Sequence, residues 1–450
     1  MMADVHPNPV LLAIDLGTSG PKVGLVSSEG EVLGCEAEAV PLILLPEGGA
    51  EQNPEDWWQG IVKATRRLLS RGLAAFDQIA AVSCTTQWSG TVPVDRDGKP
   101  LMNAVIWMDL RGAKYIDRAV DGPLAIEGYG LAKLVSWLRI AGGVPSHTGK
   151  DPISHILFIR NEHPEIYRQT YKFLEPKDYL NLRLTGRFAA SYDSICLHWV
   201  TDNRDIARVD YEPGLLRNGG IEREKLPDLT QAVDILGTLT PASAADLGLP
   251  AEVKVVAGTP DVQSAALGSG AIRDYQTHLY LGTSSWLTCH VPYKKTDLFH
   301  NMASLPSAIP GRYLLANEQE CAGKCLNYLL DDVFFPDDEL SAGPRPSNGY
   351  DLLNQAAAKA PPGSDKLIFT PWLYGERSPI DDARVRGGFF NQTLRTTRAH
   401  LVRAVFEGVA YNSRWLLMYV ENWWAEGFGR GQKWGRRGKE APECMKKSMS

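Results

Sequence analysis

In the stretch VLLAIDLGTSGPKVGLVS, residues 10–27, two apolar runs flank a polar turn of small residues. Val10–Asp15 reads as a strand, Leu16–Gly20 as a Gly/Thr/Ser turn and Lys22–Ser27 as a returning strand. Glu29-Gly30 marks the next turn and Glu31–Ala39 a third strand, so the chain opens as a β-meander. Further on, Asn53-Pro54-Glu55-Asp56 is a helix start, with Pro just inside the N-cap. Trp57, Trp58, Ile61, Val62, Leu68 and Leu69 then predict an amphipathic helix to about Ser70. Short strands follow at Ile79–Cys84, Thr91–Asp95 and Ala104–Trp107, and strands and helices then alternate, which argues for an α/β class. Residues 124–220 read as a largely helical, irregular insertion over the sheet. Val253–Ala257 is a buried strand, Gly258-Thr-Pro-Asp261 a tight turn, and Val262–Leu267 begins a helix.

A second hairpin, Thr277–Leu281 and Trp286–Val291, opens the second half. Leu16-Gly-Thr-Ser19 recurs there as Leu281-Gly-Thr-Ser284, 265 residues later and again between two predicted strands. The echo implies a duplicated fold with a cleft between its halves. The domain boundary falls near Ile272–Tyr275, giving domains 1–272 and 273–422 and a tail 423–450.

The 450 residues carry 47 Lys and Arg against 53 Asp and Glu, a net charge of −6. This lacks the basic footprint of a general nucleic-acid binder. No apolar run reaches the roughly 18 residues of a membrane span, and Val10–Ile14 is too short and lacks the basic flank of a signal peptide. Seven cysteines at irregular spacings do not form a disulfide framework. Reduced thiols and a cytoplasmic location are expected. Cys321 and Cys325, four apart, read as core side chains rather than metal ligands. No GxxxxGK[ST] loop occurs, and the glycines at 268 and 270 lack the third of a dinucleotide fingerprint.

Four groups of residues can carry chemistry. In the first turn, Gly17 and Gly20 let backbone approach a ligand, and N–H groups with the Thr18 and Ser19 hydroxyls could cradle phosphate oxygens. Asp15 could hold Mg²⁺ through water, and Lys22 could add positive charge. The alternative is an ordinary polar hairpin. Asp261, past the C-terminal end of a buried strand, could accept the proton of an attacking hydroxyl, or it could cap a helix. Gly282, Thr283 and Ser284 form the second turn and could bind phosphates likewise. Gln87, Trp88, Ser89 and Trp107 combine aromatic and hydrogen-bonding groups, as a sugar site needs. Each tryptophan alone would otherwise be read as core.

In order and spacing these parts resemble the FGGY family of carbohydrate kinases. The resemblance runs from Val10 to Tyr419 through AIDLGTSGPKVGLV, EQNPEDWW, WMDLRG (107–112), EPKDYLNLRLTGRF (175–188), AGTPDVQSAALGSGA (257–271), LYLGTSS (279–285), FTPWLYGERSP (369–379), RGGFF and LVRAVFEGVAY (401–411). It implies two actin-like, ribonuclease H-like domains around a cleft, and transfer of the γ-phosphoryl of MgATP to a sugar hydroxyl. The acceptor it suggests first is a ketopentose, D-xylulose. It makes Asp261 the catalytic base and Asp15 the magnesium-associated carboxylate. Gly17, Thr18 and Ser19 match its first phosphate loop, Gly282 and Thr283 its second. A small-molecule sugar is the expected partner, with a homodimer as a candidate assembly and neither nucleic acid nor membrane involved.

The chain departs from the pattern in three places. Trp88-Ser89 replaces the Met-His of the family members that act on xylulose, and Val262 replaces the Asn after the base. Both positions touch sugar in the family, so another pentulose or a polyol is an alternative acceptor. After Tyr419 the family's glycine-rich adenine loop is replaced by WWAEGFGRG and a basic, aperiodic stretch. This predicts a second domain that is truncated or altered, weakly stable and short of its adenine side. Two rival readings are a sugar-binding remnant without catalysis and an actin-like ATPase.

Overall fold

A computed structural model of the chain describes residues 9–340, 343–382 and 384–427. The described residues divide into two units. The first holds the chain up to His278 together with Cys289–Thr296 and Ala303–Leu315; the second holds Leu279–Thr288, Asp297–Met302 and the chain from Ala316 on.

The opening meander forms as read. Strand β1 (Val10–Gly17) pairs antiparallel with β2 (Gly20–Ser27), closing on Gly17 opposite Gly20, and β2 pairs with β3 (Val32–Ala37). The sheet continues through β4 (Ile79–Thr86), β5 (Ile235–Thr238) and β6 (Lys254–Val256) in the order β5-β6-β4-β1-β2-β3. β4 runs parallel to β1, and β6 parallel to β4. Three parallel strands therefore end side by side, and their C-terminal ends lead to Asp15, Gln87 and the Gly258–Asp261 turn. That edge is where open α/β sheets place ligands.

Side-chain alternation drives this sheet. Val10, Leu12, Ile14 and Leu16 are buried on one face of β1, while Asp15 falls on the other set. Helix α1 (Pro54–Leu69) covers the meander with Trp57, Trp58, Ile61, Ala64 and Leu68, all buried. Each of the larger side chains contributes about 1.5–3 kcal/mol by leaving water. The Asn53 side chain caps the helix by accepting the Glu55 N–H at 3.0 Å. Helix α2 (Pro176–Thr185) adds Tyr179, Leu180, Leu182 and Leu184 to the same core. Helix α3 (Asp261–Gly268) follows the turn after β6.

Two predicted strands shorten, to Val92–Val94 and Ala104–Val105. The first stops because Asp95 turns its carboxylate onto the Asp97 and Lys99 N–H groups, 2.9 Å each, and starts a turn.

The second hairpin forms between β7 (Thr277–Leu281) and β8 (Ser285–Val291), so both Leu-Gly-Thr-Ser copies lie between strands. In the second unit, helix α4 (Gly323–Tyr328) follows this turn in sequence, and β9 (Ile368–Thr370) pairs with β10 (Gly388–Phe390). The long helix α5 (Arg398–Gly427) packs on β9. A Cβ on Gly408 would lie 2.4 Å from the Phe369 carbonyl oxygen, so only glycine permits that approach. Cys321 and Cys325 are buried with Leu329, Leu353, Phe369 and Val405, as core side chains. Of the tail 423–450, residues 423–427 continue α5, and the rest lies outside the described residues.

Candidate active site

The first turn is built into a chain of hydrogen bonds. Trp107 Nε1 donates to Thr18 Oγ1 at 3.0 Å, and Thr18 Oγ1 donates to Gln87 Oε1 at 3.0 Å. Gln87 Nε2 donates to Gln52 Oε1 at 2.8 Å. Gln52 Nε2 returns to the Thr18 carbonyl at 2.8 Å, and Trp57 Nε1 reaches Gln52 Oε1 at 3.2 Å. Thr18, Gln87 and Trp107, singled out separately in the sequence, thus meet in space. Gln52 was missed because the EQNPEDWW stretch reads first as a helix start, and among Glu51, Asn53, Glu55 and Asp56 one more polar residue does not stand out.

Gly20 is required at the turn. Its φ is +133°, and a Cβ there would lie 2.1 Å from the Glu38 carbonyl oxygen.

Asp15 and Lys22 face each other across β1 and β2, with Lys22 Nζ 2.9 Å from Asp15 Oδ2. This hydrogen bond raises the Lys22 pKa. Asp261 lies in the same electrostatic neighbourhood. Burial pushes its carboxyl up to about 6; the Asp15 charge acts in the same direction, while the Val262 N–H and Lys22 oppose the rise. Asp261 is not the helix cap that the sequence left open. Pro260 occupies the cap position, and Asp261, the first helical residue, accepts the Val262 N–H at 2.8 Å. Gly258 has φ +70°, and a Cβ there would sit 2.1 Å from the Cys84 carbonyl oxygen in β4, so glycine sets how closely this turn rests on the sheet.

Trp88 and Ser89 are held by the insertion. Trp88 Nε1 donates to the Ser194 carbonyl at 2.9 Å, and Ser89 Oγ to the Lys150 carbonyl at 2.8 Å. Ser89 sits in the left-handed region, φ 65°. The Gly90 N–H donates to Glu175 Oε2 at 2.9 Å. Trp107, which alone would be read as core, is 40% exposed. The WMDLRG segment positions it: Arg111 clasps the fully buried Asp109 and reaches Glu51 Oε1 at 2.7 Å, and Asp109 accepts the Ala50 N–H. Trp107 therefore rises from a fixed ion cluster.

In the second unit, the Gly282 N–H donates to the Ser284 carbonyl at 2.9 Å, closing the turn. The Gly282 carbonyl accepts from Gly323 at 2.7 Å and the Thr283 carbonyl from Ala322 at 3.0 Å, so α4 and its entry brace the turn. Tyr280 and Trp286 stack beside it, centroids 3.9 Å apart. Among the described residues no three His, Cys, Asp or Glu side chains gather as a metal cage. No described helix is long and apolar enough to cross a membrane.

In the first unit, carboxylates and a small polar turn thus stand at the mouth of a mixed sheet, a setting that suits the handling of phosphate groups. The N-terminal domain of the FGGY family of carbohydrate kinases matches residues 10–268, and its C-terminal domain matches residues 278–422. The chain belongs to that family and has its two-domain α/β fold. It is 30% identical over 415 residues to the xylulose kinase of Escherichia coli (strain K12), covering 89% of this chain and 76% of that one. It is 28% identical over 403 residues to the gluconokinase of Bacillus subtilis (strain 168), covering 89% and 75%. Among solved structures, the gluconate kinase from Lactobacillus acidophilus superposes with a TM-score of 0.75 at 25% identity, covering 90% of this chain and 76% of that one.

Proposed function

We propose that the chain transfers the γ-phosphoryl of ATP to a hydroxyl of a ketopentose, with D-xylulose giving D-xylulose 5-phosphate as the first candidate. The observation that carries this reading is the place of the Asp261 carboxyl, largely buried just past the C-terminal ends of the parallel strands and within the field of Asp15, where burial pushes its pKa up to about 6. A carboxylate with a pKa near the working pH suits a general base. Asp261 orients the acceptor hydroxyl and takes its proton; that oxygen bonds to the γ-phosphorus as the bond to the β,γ-bridging oxygen breaks. Trp107 and Gln87, with Trp88 and Ser89, would line the sugar side.

The backbone N–H groups of Gly17, Thr18 and Ser19, with the Ser19 hydroxyl and Lys22, would meet phosphate oxygens from the first turn, and Gly282, Thr283 and Ser284 from the second. The Asp15 side chain keeps 40% of its surface exposed, so a hydrated cation can reach it. Mg²⁺ characteristically keeps waters and needs only one or two carboxylates beside the phosphates, so one carboxylate without a cage fits it. Bound there, the ion would neutralise phosphate charge. The cysteines among the described residues are thiols rather than disulfides, which supports a reducing, cytoplasmic setting.

The test is ADP release from MgATP with D-xylulose, other pentuloses, polyols and gluconate, with Asp261→Asn alongside. Release that depends on one sugar, and that falls by orders of magnitude in the variant while the sugar still binds, is the expected result. Release with gluconate alone would move the acceptor. Sugar binding with no release would favour a binding remnant, and release independent of sugar an ATPase.

A further inference from the structure

Beneath the turn that carries Asp261 lies a polar cluster sealed from water. Lys177, Asp178, Asn181, Asp193 and Ser194 are each 1% exposed or less. Ionic groups so deeply buried rarely stabilise a fold more than apolar side chains of the same size would, so stability alone does not explain them. Lys177 Nζ donates to Asp178 Oδ1 at 2.5 Å and to the Ala257 carbonyl at 3.0 Å. Asn181 Nδ2 donates to the same Ala257 oxygen at 2.7 Å. Ser191 Oγ donates to the Gly258 carbonyl at 3.3 Å, and Thr259 Oγ1 donates to Asp193 Oδ2. Ser194 Oγ ties the layer together through Asp178 Oδ2 at 3.0 Å.

Every residue from 257 to 259 is thus anchored by a side chain from α2 or from the segment 191–194. Asp261, two residues on, is oriented by its own neighbour's N–H, so the place of its carboxylate is set by the turn before it. Burial raises the pKa of both Asp178 and Asp193, and the Lys177 charge opposes that rise in each, so one lysine serves two acids.

We infer that this cluster is a positioning device: Lys177, Asn181 and Ser191 hold the Ala257 and Gly258 carbonyls and Asp193 holds the Thr259 hydroxyl, so that Asp261 meets the acceptor hydroxyl. The inference rests on Asp261 being the proton acceptor. A displacement of about 1 Å in a reacting group can cost on the order of a hundredfold in rate, so the anchoring should show in turnover rather than in sugar affinity.

The experiment compares Thr259→Val, Thr259→Ser and Asp261→Asn in the full chain. It measures kcat and KM for whichever sugar supports ADP release, sugar affinity by calorimetry, and the unfolding midpoint. Thr259→Val keeps the shape and loses the hydroxyl that binds Asp193. Its kcat is expected to fall on the order of ten- to a hundredfold, with sugar affinity within about twofold of the parent. Thr259→Ser, which keeps the hydroxyl, is expected to recover most of that turnover. Asn181→Leu, which cuts the bond to Ala257, carries the same expectation and decides the matter if Thr259→Val does not fold. Unchanged kcat in these variants beside a dead Asp261→Asn would overturn the positioning role alone, as would an equal loss in Thr259→Ser. Near-normal turnover in Asp261→Asn would remove the base and this inference together.

Discussion

Asp261 links the charge pattern of the site to a measurable pH dependence. Its carboxyl is pushed up to about 6, above the ordinary aspartate value near 3.9, mainly by burial. A base must be ionised, so kcat/KM for the sugar is expected to fall with slope one as pH drops through about 6. Lys22 lowers the Asp261 pKa, so Lys22→Met should move that acid limb to higher pH; a limb that stays or moves down would contradict the arrangement. The same shift has a stability consequence. Between the unfolded and folded pKa values the folded state binds more protons, so stability falls as pH rises through that window and stays lower above it. Asp261→Asn removes the buried charge and is expected to raise the urea midpoint at pH 8 while abolishing turnover. A lower midpoint would mean that the carboxylate is satisfied in ways the charge pattern does not express.

At the scale of elements, the turn after β6 is the most constrained piece. Gly258→Ala combines a positive φ, costing about 1–3 kcal/mol for a non-glycine residue, with a Cβ placed 2.1 Å from the Cys84 carbonyl oxygen. The variant is expected to lose at least that much stability by urea unfolding, and turnover with it; retention of both would mean the turn can leave the sheet without penalty. What could be read from sequence at this scale was local. The meander and α1 were legible because alternation, turn glycines and the Asn53 cap act within a few residues. Asp15, Lys22 and Asp261 were legible as candidates because strand ends carry charge in this class. The cluster under the turn was not, because Lys177 and Asn181 meet Ala257 at separations of 80 and 76 residues. Trp107 misleads for another reason: an aromatic after an apolar run usually packs inward, and only the long-range clasp of Arg111 on Glu51 shows why this one stands out.

For the molecule as a whole, the two units differ in how they are covered. The first has a continuous core running from β1 through α1 and α2 to Val255. In the second, Leu298, Phe299, Phe390 and Leu394 are exposed, Leu394 completely. Regions with few buried apolar contacts open locally at lower free energy. Hydrogen exchange is therefore expected to be slower in β1, β4 and α1 than in β9 and β10; equal protection across both units would contradict it. The acceptor is also a question at this scale, since relatives named for xylulose and for gluconate cover the same share of the chain at similar identity.

The hydrogen-bond chain at the first turn also has a direction. Indole N–H groups can only donate, and a backbone carbonyl can only accept. Trp57 and the Thr18 carbonyl therefore fix which end of the Gln52 amide is oxygen, Gln52 in turn fixes Gln87, and Gln87 obliges the Thr18 hydroxyl to give it its proton. With that proton committed and Trp107 on one lone pair, Thr18 presents only acceptor capacity to whatever arrives. A phosphate oxygen at this turn would therefore have to be met by other donors, the backbone N–H groups, the Ser19 hydroxyl or Lys22, because the fixed ends of the relay forbid it to reverse.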